Sequence, residues 1–267
     1  MSAARARRLD LAVEDGVATL TLVRPEAHNA LDLELVRALD EETERIERMV
    51  RDGDVRCLVL QAEGRNFCVG GDLRSFTEAA DTTAHIRRMA THAHRGIDRL
   101  HHLPVPVLSA VRGAVAGAGL GLVLASDIVV ASTTATFTLA YAAAGITPDA
   151  GVSWGLPRAI GHKRAMDALL SNRRVGAAEA EAWGLVSRVV DDSELEEAVA
   201  GLVRSVAALP TEVLRESKRL MRRAAEVPIT SHLDDEADTI ARLAAMPFAQ
   251  QAIAAFLRPR ETAPAGP

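Results

Sequence analysis

The sequence predicts an α/β protein, and three observations lead there. Two short apolar strands, in VRCLVLQAEG (55–64) and LPVPVLSAV (103–111), each run into a glycine turn. Amphipathic helical segments lie between them. From Ser193 to about Phe256 the chain reads as helix, interrupted at Pro210, Pro228 and Pro247. With 267 residues, 48% hydrophobic and 25% charged, the chain can bury a sizeable core, and its composition is that of an ordinary globular protein. No linker separates two independent cores. The expected organisation is a core over 1–192, a helical region over 193–257 and a flexible tail over 258–267.

In chain order, alternation from Leu9 with a turn at Asp15-Gly16 predicts a hairpin of two short strands, the second ending at Pro25. Asp32 to Arg51 carries Leu35, Leu39, Ile46 and Val50 at helical spacing among Glu and Arg, which predicts an amphipathic helix stopped by Asp52-Gly53-Asp54. The following strand, VRCLVLQAEG, is apolar enough to be buried on both faces. NFCVGGDL (66–73) is a strand-to-loop transition with paired glycines. A histidine-rich helix over Thr83 to Leu103 then leads into the second apolar strand. Beyond it, SDIVVASTTATFTLAYAAAGITPDAG supplies further short strands and a loop, Trp154 to Leu170 and Ala177 to Trp183 read as helices, and VSRVVDD reads as a strand.

The stretch VRGAVAGAGLGLVLASD (111–127) organises the rest. Its glycines at 113, 117, 119 and 121 let a backbone approach something closely, and a helix from Ala118 to Ala125 would present its first free amides beside Gly117 and Ala118. The stretch is shorter than the ~20 apolar residues of a membrane span, and its glycines miss the dinucleotide spacing. Close packing alone is the other reading. Because the strand-glycine device occurs twice, at 58–73 and 105–121, two backbone turns can face one ligand atom.

A net charge of −5, with no basic stripe carrying interleaved aromatics, argues against nucleic acid. Cys57 and Cys68 are too few for a disulfide framework or a zinc cluster, which fits a reducing compartment. The N-terminal residues lack an apolar segment after their basic ones, so the expectation is a cytoplasmic protein without a secretory signal. No metal is expected: His85, His92 and His94 lack the helical pairing with a carboxylate that a zinc site shows.

Taken in order and spacing, VATLTLVRPEAHNAL, FCVGGDL, VRGAVAGAGLGLVLASDIVVAS, GITPDAGVSWGLPRAIG, AEAWGLVSRVV and FLRPRE resemble the crotonase, or enoyl-CoA hydratase/isomerase, superfamily over nearly the whole chain. The resemblance implies a spiral of ββα units and C-terminal helices that support homotrimers or hexamers. It also implies an acyl-CoA substrate, so coenzyme A arrives as part of the substrate and no separate cofactor is expected.

Carried over by motif, the thioester oxygen would be held by the amides of Val69 and Ala118. Negative charge builds on that oxygen when the neighbouring carbon loses a proton, and a fixed donor there is worth ~3 kcal/mol. The coenzyme A contacts match the backbone around Ala27, Asn29 and Leu31, with Val69, Gly71, Asp72 and Leu73; Gly117 and Gly121 belong to the same site. Arg24 is a phosphate candidate, and Lys218 and Phe256 match positions that often reach a neighbouring subunit. A solvated surface role is the alternative for each lone charge.

Two departures bear on the reaction. Members that add water use two glutamates, and their positions hold Gly121 and Tyr141 here, neither of which can act as that carboxylate base. The resemblance leaves Asp149, which several isomerases use to shuttle a proton and the 4-chlorobenzoyl-CoA dehalogenases use as a nucleophile. Its apolar, glycine-flanked setting suggests a carboxyl group made more basic by burial. A turn or helix-cap aspartate is the other reading. Tyr141 would orient Asp149, line a pocket or fill core. One of His85, His92 and His94 would line the acyl pocket or, as in the dehalogenases, activate water; a surface role is the alternative for each. The expected activity is therefore an acyl-CoA isomerase, resembling the epoxide and double-bond isomerases. An Asp149 hydratase-like or dehalogenase-like enzyme and an acyl-CoA-binding protein without chemistry are the alternatives.

Overall fold

The computed structural model describes residues 7–257. The expected flexible tail, 258–267, lies outside them. The chain divides into two compact units, with the boundary between Ala208 and Leu209.

The first unit opens with β1 (Leu9–Glu14) and β2 (Val17–Leu22), paired antiparallel around Asp15 and Gly16, both of which adopt positive φ as a tight hairpin turn requires. A 3₁₀ turn at Pro25–Ala27 leads to α1 (Leu33–Asp52). Asp32 Oδ1 accepts the Leu35 amide at 2.8 Å to cap that helix, and Gly53 ends it. After β3 (Cys57–Ala62) come α2 (Leu73–Glu78) and α3 (Thr82–His102). Next are β4 (Val107–Val111), β5 (Ala114–Ala116) and α4 (Gly119–Leu124), then β6 (Ile128–Ser132) and β7 (Thr136–Thr138).

The segment expected as one helix from Trp154 to Leu170 is two, α5 (Val152–Ile160) and α6 (His162–Ser171). Gly161 breaks them apart at φ 82°, ψ 150°, a conformation no helix contains. β8 (Val175–Gly176), α7 (Ala177–Trp183), β9 (Arg188–Val190) and α8 (Leu195–Ala207) complete the unit.

The main sheet has the order β1-β2-β3-β4-β6-β9, parallel from β2 onward. A second, smaller sheet has the order β5-β7-β8. Successive long strands thus sit side by side, and each of β4 and β6 hands the chain to a short strand in the second layer before a helix. This is the spiral of ββα units that the resemblance implies. As its composition predicts, β3 is buried on both faces: Leu58 and Leu60 join the main core, while Cys57 and Val59 pack with Leu108, Val130 and the Leu195, Val199 and Leu202 side chains of α8. Because α8 covers that face of the sheet, residues 193–208 belong with the core, and the helical region begins at Leu209 rather than 193.

The second unit consists of α9 (Thr211–Arg223), α10 (Ile229–Ala244) and α11 (Pro247–Leu257), with Pro210 and Pro228 immediately before two of these helices and Pro247 opening the third. Met221, Ile229, Ile240, Phe256 and Leu257 are all exposed. No single helix among the described residues is long and apolar enough to cross a membrane.

Asp40 ties α1 to α3 from a buried position, accepting from His92 Nδ1 at 2.7 Å and from the Arg99 guanidinium. Burial alone would raise its carboxyl pKa, but the Arg99 and His92 hydrogen bonds outweigh that and hold it below the usual carboxylate range. A group with a lowered folded pKa contributes stability above the unfolded value and loses it as pH falls through the folded one. Asp40→Ala should therefore cost about 2–3 kcal/mol in urea unfolding at pH 7. That deficit should shrink as pH falls below about 4, where the carboxylate of the unfolded chain takes up a proton, and disappear once pH passes the lower folded value.

Candidate active site

The site begins where the two glycine turns meet. Past β3, the chain runs parallel to β5: Phe67 N–H donates to Arg112 O, Cys68 N–H to Ala114 O, and Ala116 N–H to Cys68 O. This pairing brings the 67–72 turn against the start of α4. A Cβ at Gly119 would lie 2.3 Å from Cys68 O, so only glycine permits the approach.

The hydrogen bonds then decide which amides remain open. Val69 N–H donates to His28 O at 3.3 Å, Gly70 N–H faces the Cys68 sulfur, and Asp72 N–H donates to Leu31 O. In the other turn, Gly117 N–H donates to Thr138 O. Among the described residues, neither the Gly71 nor the Ala118 amide has an acceptor within the protein, and both residues line one cavity of about 490 Å³. Of the expected pair, the Ala118 amide is open to the cavity and the Val69 amide is engaged; Gly71 offers the second open amide. Gly70, at φ 92°, turns the chain between Val69 and Gly71, and nothing in the sequence says which of their amides finds an acceptor. The His28 carbonyl, presented by a left-handed turn at His28 and Asn29, takes the first of them.

Opposite these amides, Tyr141 donates its phenol to Asp149 Oδ1 at 3.0 Å. Burial and the neighbouring carboxylate push the Tyr141 phenol far above its ordinary range, so it stays protonated and serves as a donor. Asp149 does not cap α5: that helix starts after Gly151, with no side-chain cap hydrogen bond. Nor is the carboxylate buried as its apolar flanks suggested, since its side chain is 41% exposed. Among the described residues lining the cavity, Asp149 is the only acid; the remaining wall includes Leu73, Phe76, Ile86, Ala90, Leu139 and Ile146.

Gly121 lies just behind this loop. A Cβ there would lie 2.2 Å from Ala150 O and 2.9 Å from Ala150 Cβ. The position that carries a glutamate in hydratases is thus occupied by the backbone that carries Asp149.

The three candidate histidines separate. His94 accepts the Ala150 amide on Nε2 at 3.1 Å and lies 3.9 Å from Asp149 Oδ2. His92 turns to Asp40, and His85 Nε2 lies 3.2 Å from Ser75 Oγ.

The residues expected to contact ligand also hold one another in place. The Arg24 guanidinium donates to Ala30 O and to Asp72 Oδ2, each at 2.8 Å, and faces Asp32. Asn29 is completely buried; its side chain accepts from Arg24 N–H and donates to Glu63 O and Asn66 O. Leu31 bridges to Gly71, fixing the turn that bears the open amide, while Ala27 ends the 3₁₀ turn before it. Leu73 and Gly117 line the cavity. Lys218 and Phe256 lie on α9 and α11, in the second unit. The role of the His28 and Asn66 side chains, whose Nδ1 and Nδ2 lie 3.0 Å apart beside the turn, has no sequence signal beyond their place in the motif.

An α/β spiral with two backbone amides converging on a cavity beside one carboxylate defines an enzyme site for a substrate whose oxygen gains negative charge. The chain belongs to the enoyl-CoA hydratase/isomerase family, the crotonase enzymes of acyl-CoA thioesters: the family model of that description matches residues 12–263. It is 38% identical to the 1,2-epoxyphenylacetyl-CoA isomerase of Escherichia coli (strain K12), covering 85% of this chain and 86% of that protein. It is 35% identical to the 4-chlorobenzoyl coenzyme A dehalogenase-2 of an Arthrobacter species, covering 91% and 87%. The crystal structure of an enoyl-CoA hydratase from Mycobacterium smegmatis aligns with a TM-score of 0.86 at 31% identity, over 94% of this chain and 96% of that one.

Two substitutions probe this geometry. Ala118 has φ −61°, already suited to proline, so Ala118→Pro should remove the amide with little change in melting temperature while lowering kcat on a thioester substrate about 10²- to 10³-fold. Gly121→Glu should not create a hydratase. It should displace the Asp149 loop and lower stability by about 3 kcal/mol in chemical unfolding, with no water-addition product by mass spectrometry.

Proposed function

We propose that this enzyme is an acyl-CoA isomerase that moves a proton through a thioester enolate. The observation that carries the reading is the single carboxylate, Asp149, in a cavity shared with the open amides of Gly71 and Ala118. With Oδ1 held by Tyr141, Oδ2 is the oxygen available to take a proton from a carbon conjugated with the thioester. The electron pair left behind moves onto the thioester oxygen, where the two amides stabilise it by ~3 kcal/mol each. Asp149, 41% exposed and so able to exchange its proton with solvent, then delivers a proton to another carbon of the conjugated system, which completes a double-bond or epoxide isomerisation without net gain or loss of atoms. Coenzyme A is part of the substrate in this scheme, and the scheme uses no separate cofactor. The exposed apolar side chains of the C-terminal helices support assembly with further copies of the chain, as trimers or pairs of trimers.

A second reading has Asp149 attack a halogenated aroyl-CoA ring, expel halide and form an aryl ester that water then cleaves. The exposure of the Asp149 carboxylate, 41%, on a largely apolar cavity wall supports it in that role.

Incubation of unsaturated, aromatic and halogenated acyl-CoAs in deuterated water, followed by mass spectrometry, separates the readings. The expected result is deuterium gained at carbon, lost in Asp149→Asn while acyl-CoA binding persists. Full turnover by Asp149→Asn overturns the assignment. Halide release with an ester on Asp149 establishes the second reading, and binding without any product establishes a non-catalytic binder.

A further inference from the structure

The loop that carries Asp149 is held in a conformation that needs support. Ala150 has φ 53° and Gly151 φ 75°, two successive residues in the left-handed region, the first of them with a Cβ. Val152 N–H closes the loop on Asp149 O at 2.9 Å. The Ala150 carbonyl rests against the bare Cα side of Gly121, and the buried Ala150 amide donates to His94 Nε2 at 3.1 Å. An amide can only donate, so in this contact Nε2 presents its lone pair, which leaves Nδ1 as the nitrogen that carries a proton.

We propose that His94 is a positioning residue which fixes the catalytic loop through the Ala150 amide, and that only its neutral form does so. Protonation puts a hydrogen on Nε2. The acceptor for Ala150 N–H is then lost, and the new N–H faces Asp149 Oδ2, 3.9 Å away, the oxygen left open by Tyr141. The two effects act together: the loop loses a tether, and the carboxylate is drawn to a cation rather than to substrate. The inference rests on the reading of Asp149 as the catalytic carboxylate.

The surrounding charged groups are otherwise engaged. On α1, Asp40 holds His92, Arg95 and Arg99; on α3, Asp98 pairs with His102 and His101 packs edge-on against Trp154; on α5, Arg158 lies over Trp154. The Tyr141 phenol faces Asp149 and remains neutral. An imidazole nitrogen already accepting an amide is also not free to take a proton from water, so the contact assigns His94 to positioning rather than to hydrolysis.

The test compares wild type, His94→Ala and His94→Gln, in pH profiles of kcat and KM for deuterium exchange into the acyl-CoA that turns over. It adds ¹⁵N NMR of the imidazole and of the Ala150 amide without substrate. Glutamine keeps an acceptor oxygen near Nε2 and does not protonate. The expected result is a tenfold or greater loss of kcat in His94→Ala with KM little changed. His94→Gln should recover most of that loss and show an acid limb displaced to lower pH than in wild type. In NMR, the neutral imidazole should show the Nδ1–H form, and the Ala150 amide should shift as His94 protonates.

His94→Gln as inactive as His94→Ala, or with the wild-type acid limb, overturns the proposal. So does an Ala150 amide that stays unmoved while the imidazole titrates, even if the enzyme proves to be an isomerase. If the amide follows His94 but no thioester exchanges deuterium, the tether is established and the reading of Asp149 as a proton shuttle is the part that falls.

Discussion

The site depends on the close approach of two backbone turns. Pairing of Cys68 with Val115 carries the 67–72 turn onto the start of α4, and the approach is tight enough that a side chain on Gly119 would strike the Cys68 carbonyl. The consequence is electrostatic. Two amides with no acceptor within the protein end up on one cavity, held by strands and a helix that cost nothing to reorganise when charge develops in front of them. Neither amide requires a particular side chain, so the residues that bear them, Gly71 and Ala118, carry no chemical signature of their own.

The same economy of side chains shapes the other wall. At Gly121 the space that a glutamate would fill is taken by the Ala150 carbonyl, so the helix that offers an amide also seats the loop that offers a carboxylate. The absence of the hydratase glutamate and the position of Asp149 are two aspects of one packing arrangement. Tyr141 completes it. Too deeply buried to ionise, its phenol donates to Oδ1 and leaves the second oxygen facing the cavity and His94.

Around this centre, polar residues hold the frame. Arg24, Asp72, Asn29 and Asn66 form a connected set of hydrogen bonds behind the 67–72 turn, and the buried Asn29 amide satisfies two carbonyls that would otherwise be unpaired. An exposed arginine beside a phosphate and an arginine tied to Asp72 read alike in sequence, because the partner lies 48 residues away. The helix α8 makes the same point in apolar terms: its periodicity resembles that of the C-terminal helices, yet Leu195, Val199 and Leu202 close the far face of the sheet.

What the sequence determined by itself was local. The Asp15-Gly16 hairpin, the Asp32-capped α1, the doubly buried β3 and the proline-punctuated C-terminal helices follow from turn chemistry, capping and hydrophobic period, which act over a few residues. The order of its motifs also sufficed to place the chain in its family. Only the tertiary structure decided which amides stay open beside Ala118, because the His28 carbonyl reaches the Val69 amide and not that of Gly71. It likewise decided which of His85, His92 and His94 meets the Asp149 loop. Those choices are set by contacts between distant segments, and the physical reason they escape the sequence is that a donor's role is fixed by where its acceptor lies.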